Sequence, residues 1–154
     1  MTDRTSILIV EARFYSDIAD QLVAGAISAL DDAGFEHERL KVPGVFELPS
    51  AIGMALQSLE FHSSFSPYAG FIAFGCVIRG ETDHYDHVCR ESSRALMDLA
   101  TKNAIALGFG ILTCDNRAQA EARAAVDGKN KGGEAAEACL RMIDVKRHFR
   151  LIER

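Results

Sequence analysis

Short apolar runs alternate with helical patterns along the chain. Residues 7–10 form a continuously apolar run, which is typical of a strand buried on both faces of a parallel sheet. Apolar residues then recur at helical spacing between positions 18 and 30, with Ser16 as the expected N-cap and Gly34 as the expected stop. The next segment, residues 37–42, alternates polar and apolar side chains and predicts an edge strand.

The rest of the chain continues this alternation and ends in two helical segments. In chain order, the expected elements are a loop over residues 43–49 that ends in Pro49, a helix marked by Ile52, Leu56 and Leu59, a surface loop over residues 61–67, a central strand over residues 71–78, a helix marked by Val88, Ser92, Ala95 and Leu99, a strand over residues 104–113, and helices over residues 116–126 and 133–148. Gly128, Gly132 and Gly133 are expected to separate the last two helices. The order predicts a three-layer α/β/α sandwich of the flavodoxin-like type, with a four-stranded parallel sheet and helices on both faces, built as a single domain over residues 1–154.

Length, charge and cysteine content exclude several classes of protein. With 154 residues the chain is long enough for one domain with a substantial core and too short for two. Its net charge of -5 argues against general nucleic-acid binding, which normally needs a basic patch. No signal peptide and no membrane segment are expected, because the start lacks a basic region and no apolar run is long enough to cross a bilayer. The four cysteines lack CxxC spacing and are interpreted as reduced core thiols of a cytoplasmic protein.

Distinctive side chains follow the predicted strands, where parallel sheets bind their ligands. Phe14 follows the first strand, Phe46 and Glu47 follow the second, and a turn leading to His84 follows the third. Aromatic faces stack on planar rings, a carboxylate accepts hydrogen bonds from hydroxyls, and a histidine moves protons near neutral pH. A helix opening at Gly80 favours an anion at its N-terminus, and an arginine adds a bidentate phosphate contact. Together these groups suit a ligand with a flat ring, a polyol and a phosphate.

Each candidate residue also has a purely structural interpretation, which the pattern leaves open. Phe14 can cover a helix end, and Glu47 can favour the start of the second helix. Phe109 lies in an apolar strand and can belong to the core. Arg123 and Lys131 can be solvated surface charges.

The histidines raise the question of a metal site. His84, His87 and Cys89 are close in sequence, but their spacing fits no standard ligand set, so no metal is expected. His87 is instead expected to pair with Glu91 at helical spacing.

Taken together, five segments resemble the lumazine synthase family of riboflavin biosynthesis, in the family's order and spacing. They are Arg13-Phe14 and residues 43–49, 75–86, 109–113 and 130–132, so the resemblance spans nearly the whole chain. It implies the condensation of 5-amino-6-(D-ribitylamino)uracil with 3,4-dihydroxy-2-butanone 4-phosphate to 6,7-dimethyl-8-ribityllumazine, with release of phosphate and water. Two small-molecule substrates are therefore expected. The amine nucleophile belongs to a substrate, so no catalytic lysine or cysteine is expected, and no metal or redox cofactor is expected either.

The same resemblance implies a role for each site residue. His84 is the expected proton shuttle, and Arg123 is the expected direct phosphate ligand. The other expected substrate contacts are Phe14 on the pyrimidine, Val45, Phe46 and Glu47 on the ribityl chain, Cys76, Val77 and Ile78 at the ring edge, Glu81 and Thr82 through backbone donors to the phosphate, and Phe109 and Lys131 closing the pocket.

The family also implies an oligomer. In its members the equivalents of Phe109, Arg123 and Lys131 come from a neighbouring subunit, so that active sites lie at subunit interfaces and a monomer has half a site. Family members form pentamers, some of which pair into decamers or close into icosahedral shells. The chain departs from the commonest family pattern at positions that bear on substrate affinity more than on the reaction, namely Tyr15, Val45, Cys76 and Glu81.

Two other functions stay open. One is a flavodoxin-like module that binds a flavin without catalysis, although the first strand-to-helix turn, residues 11–16, lacks a phosphate cradle rich in Ser, Thr and Gly. The other is a weakly active paralogue that forms shells or binds flavin or lumazine. The presence of His84, Arg123 and Lys131 argues against an inactive enzyme.

Overall fold

The computed structural model describes residues 6–62 and 68–152, in which strands and helices alternate. In chain order the elements are β1 (Ser6–Ala12), α1 (Ser16–Asp32), β2 (Glu36–Val42), a short 3-10 helix (Val45–Glu47), α2 (Leu48–Phe61), β3 (Tyr68–Ile78), α3 (His84–Asn103), β4 (Leu107–Cys114), α4 (Arg117–Ala124) and α5 (Lys131–His148). The predicted loop over residues 61–67 starts on the last residue of α2, and its residues 63–67 lie outside the described part. No helix within residues 6–62 and 68–152 is long and apolar enough to span a membrane.

Among the described residues, four strands form one parallel sheet in the order β2-β1-β3-β4. β1 and β3 occupy the centre and are almost entirely buried, as expected for continuously apolar strands. β2 is largely exposed and lies at an edge. The predicted central position of the third strand and edge position of the second are therefore confirmed.

The side chains of the sheet alternate between two apolar layers, one on each face. Ile7 and Ile9 of β1 pack with residues of α1, α4 and α5. Leu8 and Val10 pack on the opposite face with residues of α2 and α3. The result is the predicted three-layer α/β/α sandwich with a flavodoxin-like fold.

Several predicted boundaries are wrong. The third strand begins at Tyr68 rather than at position 71, and α4 spans Arg117–Ala124 rather than residues 116–126. Two further boundaries differ for local reasons. Ser16 is the first residue of α1 rather than its cap, because Tyr15, with an extended backbone, takes the N-cap position. The fourth strand begins at Leu107 rather than at position 104, because Ala104 ends α3 in the left-handed conformation with φ of 50°. The N–H of Ile105 still bonds to a carbonyl of α3, so these residues complete the helix end instead of starting the strand.

Other predicted boundaries are confirmed. Gly34 follows the end of α1 with φ of 77°, a conformation that favours glycine. Pro49 lies in the first turn of α2, where a missing backbone N–H leaves no hydrogen bond unmade.

Gly132 and Gly133 lie in the first turn of α5 rather than in a loop before it. Asn130 starts the helix earlier than predicted, because its side-chain oxygen accepts a hydrogen bond from the Gly133 N–H at 3.2 Å. Gly132 allows α5 to cross α1 at close range, since a Cβ there would lie 2.0 Å from the carbonyl oxygen of Leu22 in α1. Gly132 therefore lets α1 pack directly against α5, and the Asn130 cap places Lys131 at the start of α5.

Candidate active site

A first cavity of about 430 Å³ opens where the carboxyl ends of β1 and β3 meet the 3-10 helix and the start of α3. Its wall gathers the residues predicted to contact a ring and a polyol, although they come from distant segments of the chain. The lining residues are Phe14, Tyr15, Gly44, Val45, Phe46, Glu47, Cys76, Val77, Ile78, His84 and Val88. The cavity lies at the sheet edge where parallel α/β domains bind ligands.

Phe14 and Tyr15 form one wall of the first cavity in the turn between β1 and α1. Phe14 is 77% exposed, so it does not serve as a cover for packed apolar residues. Its ring contacts the Tyr15 ring edge-to-face, with 4.9 Å between centroids and 76° between planes. Tyr15 itself packs against the apolar layer below it, so the aromatic pair has one anchored ring and one ring facing the cavity.

The 3-10 helix supplies an apolar wall with a carboxylate beside it. Val45 is buried and packs so closely on β3 that a Cβ at Gly75 would lie 2.5 Å from its Cγ2 atom. Phe46 is 61% exposed, with its ring at the cavity. Within the described residues the Glu47 carboxylate has no hydrogen-bond or ion-pair partner, which leaves it available to accept bonds from a ligand.

The end of β3 forms the floor of the first cavity. Cys76 is buried, while Val77 and Ile78 are half-buried. Burial, together with the neighbouring Cys114, raises the pKa of the Cys76 thiol to about 12. The thiol therefore stays protonated at neutral pH and is a poor nucleophile.

His84 is the first residue of α3, and its exposed side chain lines the first cavity. Its backbone N–H donates to Thr82 Oγ1 at 3.4 Å. Glu81 and Thr82 are exposed in the loop just before the helix and do not line the cavity. Arg79 ties this loop to the next strand end by donating from Nε to Asp115 Oδ1 at 3.2 Å. The loop that presents His84 is thus fixed at its base.

A second cavity of about 410 Å³ runs along β4 and the start of α5. Phe109, Arg123 and Lys131 all line it, and Phe109 is 46% exposed rather than part of the core. Arg123 donates from its guanidinium to the Gln119 carbonyl at 3.1 Å. Lys131 forms an ion pair with Glu134 at 2.9 Å. Two cations and an exposed ring therefore share one surface.

The two cavities have no lining residue in common. The predicted site residues are thus divided within one copy of the chain. One cavity has the stacking rings, the free carboxylate and the histidine, while the other has the cations suited to a phosphate.

An ionic cluster beside the first cavity was missed by sequence reasoning. Glu11 is completely buried in β1, and its carboxylate accepts hydrogen bonds at 2.8 Å from both Arg13 and Arg39. Burial would raise the pKa of Glu11, but the hydrogen bonds from the two arginines outweigh it and hold the pKa below its usual 4.5. The signal that could have revealed the cluster is a carboxylate inside an otherwise apolar strand. Tyr15, one of the positions expected to bear on substrate affinity, also lines the first cavity.

The predicted pairing of His87 is wrong. His87 Nε2 lies 3.3 Å from Asp83 Oδ2, one turn towards the helix N-terminus. Glu91 instead pairs with Arg94 at 2.7 Å, because the longer guanidinium reaches it from the following turn. In the described part of the chain, no three His, Cys, Asp or Glu side chains gather closely enough to hold a metal ion.

Comparison with known proteins identifies close relatives over the whole fold. The family model described as 6,7-dimethyl-8-ribityllumazine synthase matches residues 4–147. A 6,7-dimethyl-8-ribityllumazine synthase of Paramagnetospirillum magneticum is 51% identical over 145 residues, which cover 94% of this chain and 97% of the relative. The protein of the same name from Agrobacterium fabrum is 52% identical, with 92% and 94% covered. The 6,7-dimethyl-8-ribityllumazine synthase 1 of Rhizobium meliloti is 53% identical, with 93% and 92% covered.

Proposed function

Because this chain belongs to the 6,7-dimethyl-8-ribityllumazine synthase family, we propose that its two cavities are the halves of an active site completed between copies of the chain. The enzyme condenses 5-amino-6-(D-ribitylamino)uracil with 3,4-dihydroxy-2-butanone 4-phosphate, giving 6,7-dimethyl-8-ribityllumazine, phosphate and water. The division of the site residues carries the proposal: Phe14 and His84 line one cavity, and Arg123 lines the other. One copy alone therefore lacks a complete set of groups around either cavity.

The first cavity has the surfaces that a ribityl-pyrimidine needs. Phe14 offers a free aromatic face on which the pyrimidine stacks. Val45 and Phe46 border the ribityl chain, and the unpartnered Glu47 carboxylate accepts hydrogen bonds from its hydroxyls. The backbone of residues 76–78 meets the ring edge.

The second cavity completes the site from a neighbouring copy. Phe109 and Lys131 close over the ring and ribityl chain, and Arg123 binds the phosphate. Joining the first cavity of one copy to the second cavity of the next is a contact between two different surfaces, and repeating it gives a ring when the rotation between neighbouring copies closes. We propose that the ring is a homopentamer, which can pair into a decamer or close into an icosahedral shell.

The phosphate lies between Arg123 and the start of α3. The first-turn N–H groups of this 20-residue helix carry partial positive charge and favour an anion. Glu81 and Thr82 add backbone donors, and the exposed Glu81 side chain does not line the first cavity. Asp83 and Asp86 add negative charge at the same helix end, so the full charge of Arg123 is needed to favour binding.

His84 moves protons as the imine forms and phosphate leaves. The nucleophile is an amine of the substrate, so the protein needs no nucleophile of its own, in keeping with the protonated Cys76 thiol. A positioned acid–base group typically contributes about 10²–10⁴-fold to the rate. Holding two substrates in alignment contributes up to about 7–11 kcal/mol in favourable cases.

The proposal is tested by following lumazine fluorescence after both substrates are mixed with purified protein. We expect turnover in the wild type and a loss of about 10²-fold or more in His84→Ala and in Arg123→Ala, each with intact assembly. Matched controls are His87→Ala and Arg141→Ala, which remove a histidine and an arginine that line neither cavity. Wild-type rates in both site variants would contradict the assignment. An assembled wild-type protein that makes no product would instead favour a role in binding flavin or lumazine.

We also propose that the enzyme acts in the cytoplasm. All four cysteines are free thiols, as is usual in a reducing compartment. Burial raises the pKa of Cys139, like that of Cys76, to about 12, which makes these thiols unreactive towards disulfide exchange.

A further inference from the structure

Phe14 has little side-chain packing to hold it in place. Phe14 is 77% exposed, and among the described residues its ring contacts one other ring, that of Tyr15, edge-to-face. The position of its stacking face is therefore set by the backbone of the turn between β1 and α1. Whatever fixes that turn also fixes how Phe14 meets a planar ring.

Arg13, the residue directly before Phe14, ties this turn to both elements that flank it. Its guanidinium donates to Glu11 in β1 at 2.8 Å and to the Ser16 carbonyl at 3.3 Å. A further donated bond reaches the Asp20 carboxylate, one turn into α1. The side chain is 19% exposed and does not line the first cavity, so it acts without touching a ligand there.

Glu11 gives the Arg13 guanidinium a fixed hydrogen-bond partner. It is completely buried, and Arg39 of β2 donates two hydrogen bonds of 2.8 Å to its carboxylate. The cluster has two carboxylates, Glu11 and Asp20, and two guanidiniums, so its charges balance. A cluster of apolar side chains would stabilise the fold as well as this buried ionic cluster does. Unlike the hydrogen bonds, however, apolar contacts would not fix the orientation of the Arg13 side chain.

From this geometry we propose that Arg13 is a positioning residue for the pyrimidine substrate, acting through Phe14, with Glu11, Arg39 and Asp20 as its support. The inference rests on the proposed function, because it needs Phe14 to stack on that substrate. Lysine at position 13 would keep the charge but lose the planar fork, so it could not reach all three acceptors together.

The experiment is a double-mutant cycle on the assembled enzyme, with KM measured for each substrate and kcat measured separately. We expect Phe14→Ala to raise KM for the pyrimidine about tenfold, and Arg13→Lys to raise it several-fold, with KM for the phosphate substrate unchanged. The double variant should be no worse than Phe14→Ala, because Arg13 has no other route to the substrate. Arg94→Lys, which alters a similar two-carboxylate ion pair far along α3, is the matched control and should leave both KM values unchanged.

The outcomes separate the inference from the proposed function. If Phe14→Ala leaves the pyrimidine KM unchanged, the stacking itself is wrong. If Phe14→Ala raises it but Arg13→Lys does not, or if the two effects multiply in the double variant, positioning by Arg13 is overturned. Should Arg13→Lys fail to assemble, Asp20→Asn tests the same anchor from an exposed position and should raise the pyrimidine KM in the same direction. An unchanged KM in Asp20→Asn would then overturn the inference.

Discussion

Replacing Gly132 by alanine tests the close crossing of α1 and α5. The added Cβ would lie 2.0 Å from the Leu22 carbonyl oxygen and 2.7 Å from its carbonyl carbon and Cα, where ordinary contact begins at 3.4 Å. All three atoms are backbone, so no side chain can turn aside and the helices must separate by roughly 1 Å. Overpacking against backbone atoms that cannot turn aside costs about 2–3 kcal/mol, the upper part of the usual range, and alanine recovers about 1 kcal/mol through its helix propensity. We therefore expect a net loss of about 1–2 kcal/mol in the free energy of unfolding.

Gly53→Ala is the matched control, because Gly53 also lies in a helix but has no atom within 4 Å of an added Cβ. It should stabilise the protein by about 0.5–1 kcal/mol. Urea unfolding of both variants is compared with the wild type at one protein concentration, since assembly makes apparent stability concentration-dependent. A Gly132→Ala protein as stable as the wild type, or a shift of the same sign in both variants, would refute the reasoning.

Two further predictions concern buried groups. Because the pKa of Glu11 is lowered on folding, its contribution to stability is present above its usual 4.5 and is lost as pH falls through the folded value. Glu11→Gln should therefore lower the free energy of unfolding by about 3 kcal/mol at pH 7 and make the melting temperature fall less steeply towards acid pH. A plot of melting temperature against pH that runs parallel to that of the wild type would contradict this. The Cys76 pKa of about 12 predicts slow alkylation. Iodoacetamide at pH 8 should label native Cys76 more than about 100-fold more slowly than the unfolded chain, as followed by mass spectrometry, and equal rates would show an ionised thiol.

The sheet could be predicted from the sequence because its signals are local. Continuous apolar runs in β1 and β3 and an alternating pattern in β2 report how many faces of each strand are buried. Gly132 misled the prediction, because a glycine pair usually indicates a loop. Here the reason for glycine is the backbone of Leu22, which is distant in the chain and invisible to local patterns.

The candidate site was predictable to the extent that it follows the strand ends. Phe14, Glu47 and His84 lie directly after strands or at a helix start, so the topology alone brings them to one cavity. The place of Arg123 in a second cavity follows from how α4 and α5 pack beside β4, which spacing does not reveal. Glu11 was missed because its partner Arg39 comes from a different strand and joins it only in the folded sheet.

Mixing two inactive variants tests most directly whether the active site is shared between copies. His84→Ala keeps the second cavity intact, and Arg123→Ala keeps the first cavity intact. The two variants are unfolded and reassembled together in equal amounts. After random mixing, about one quarter of the contacts between copies join an intact first cavity to an intact second cavity. We expect the mixed assembly to recover about one quarter of wild-type turnover per chain, far above either variant alone. Turnover no higher than the mean of the separate variants would contradict a site built from two copies.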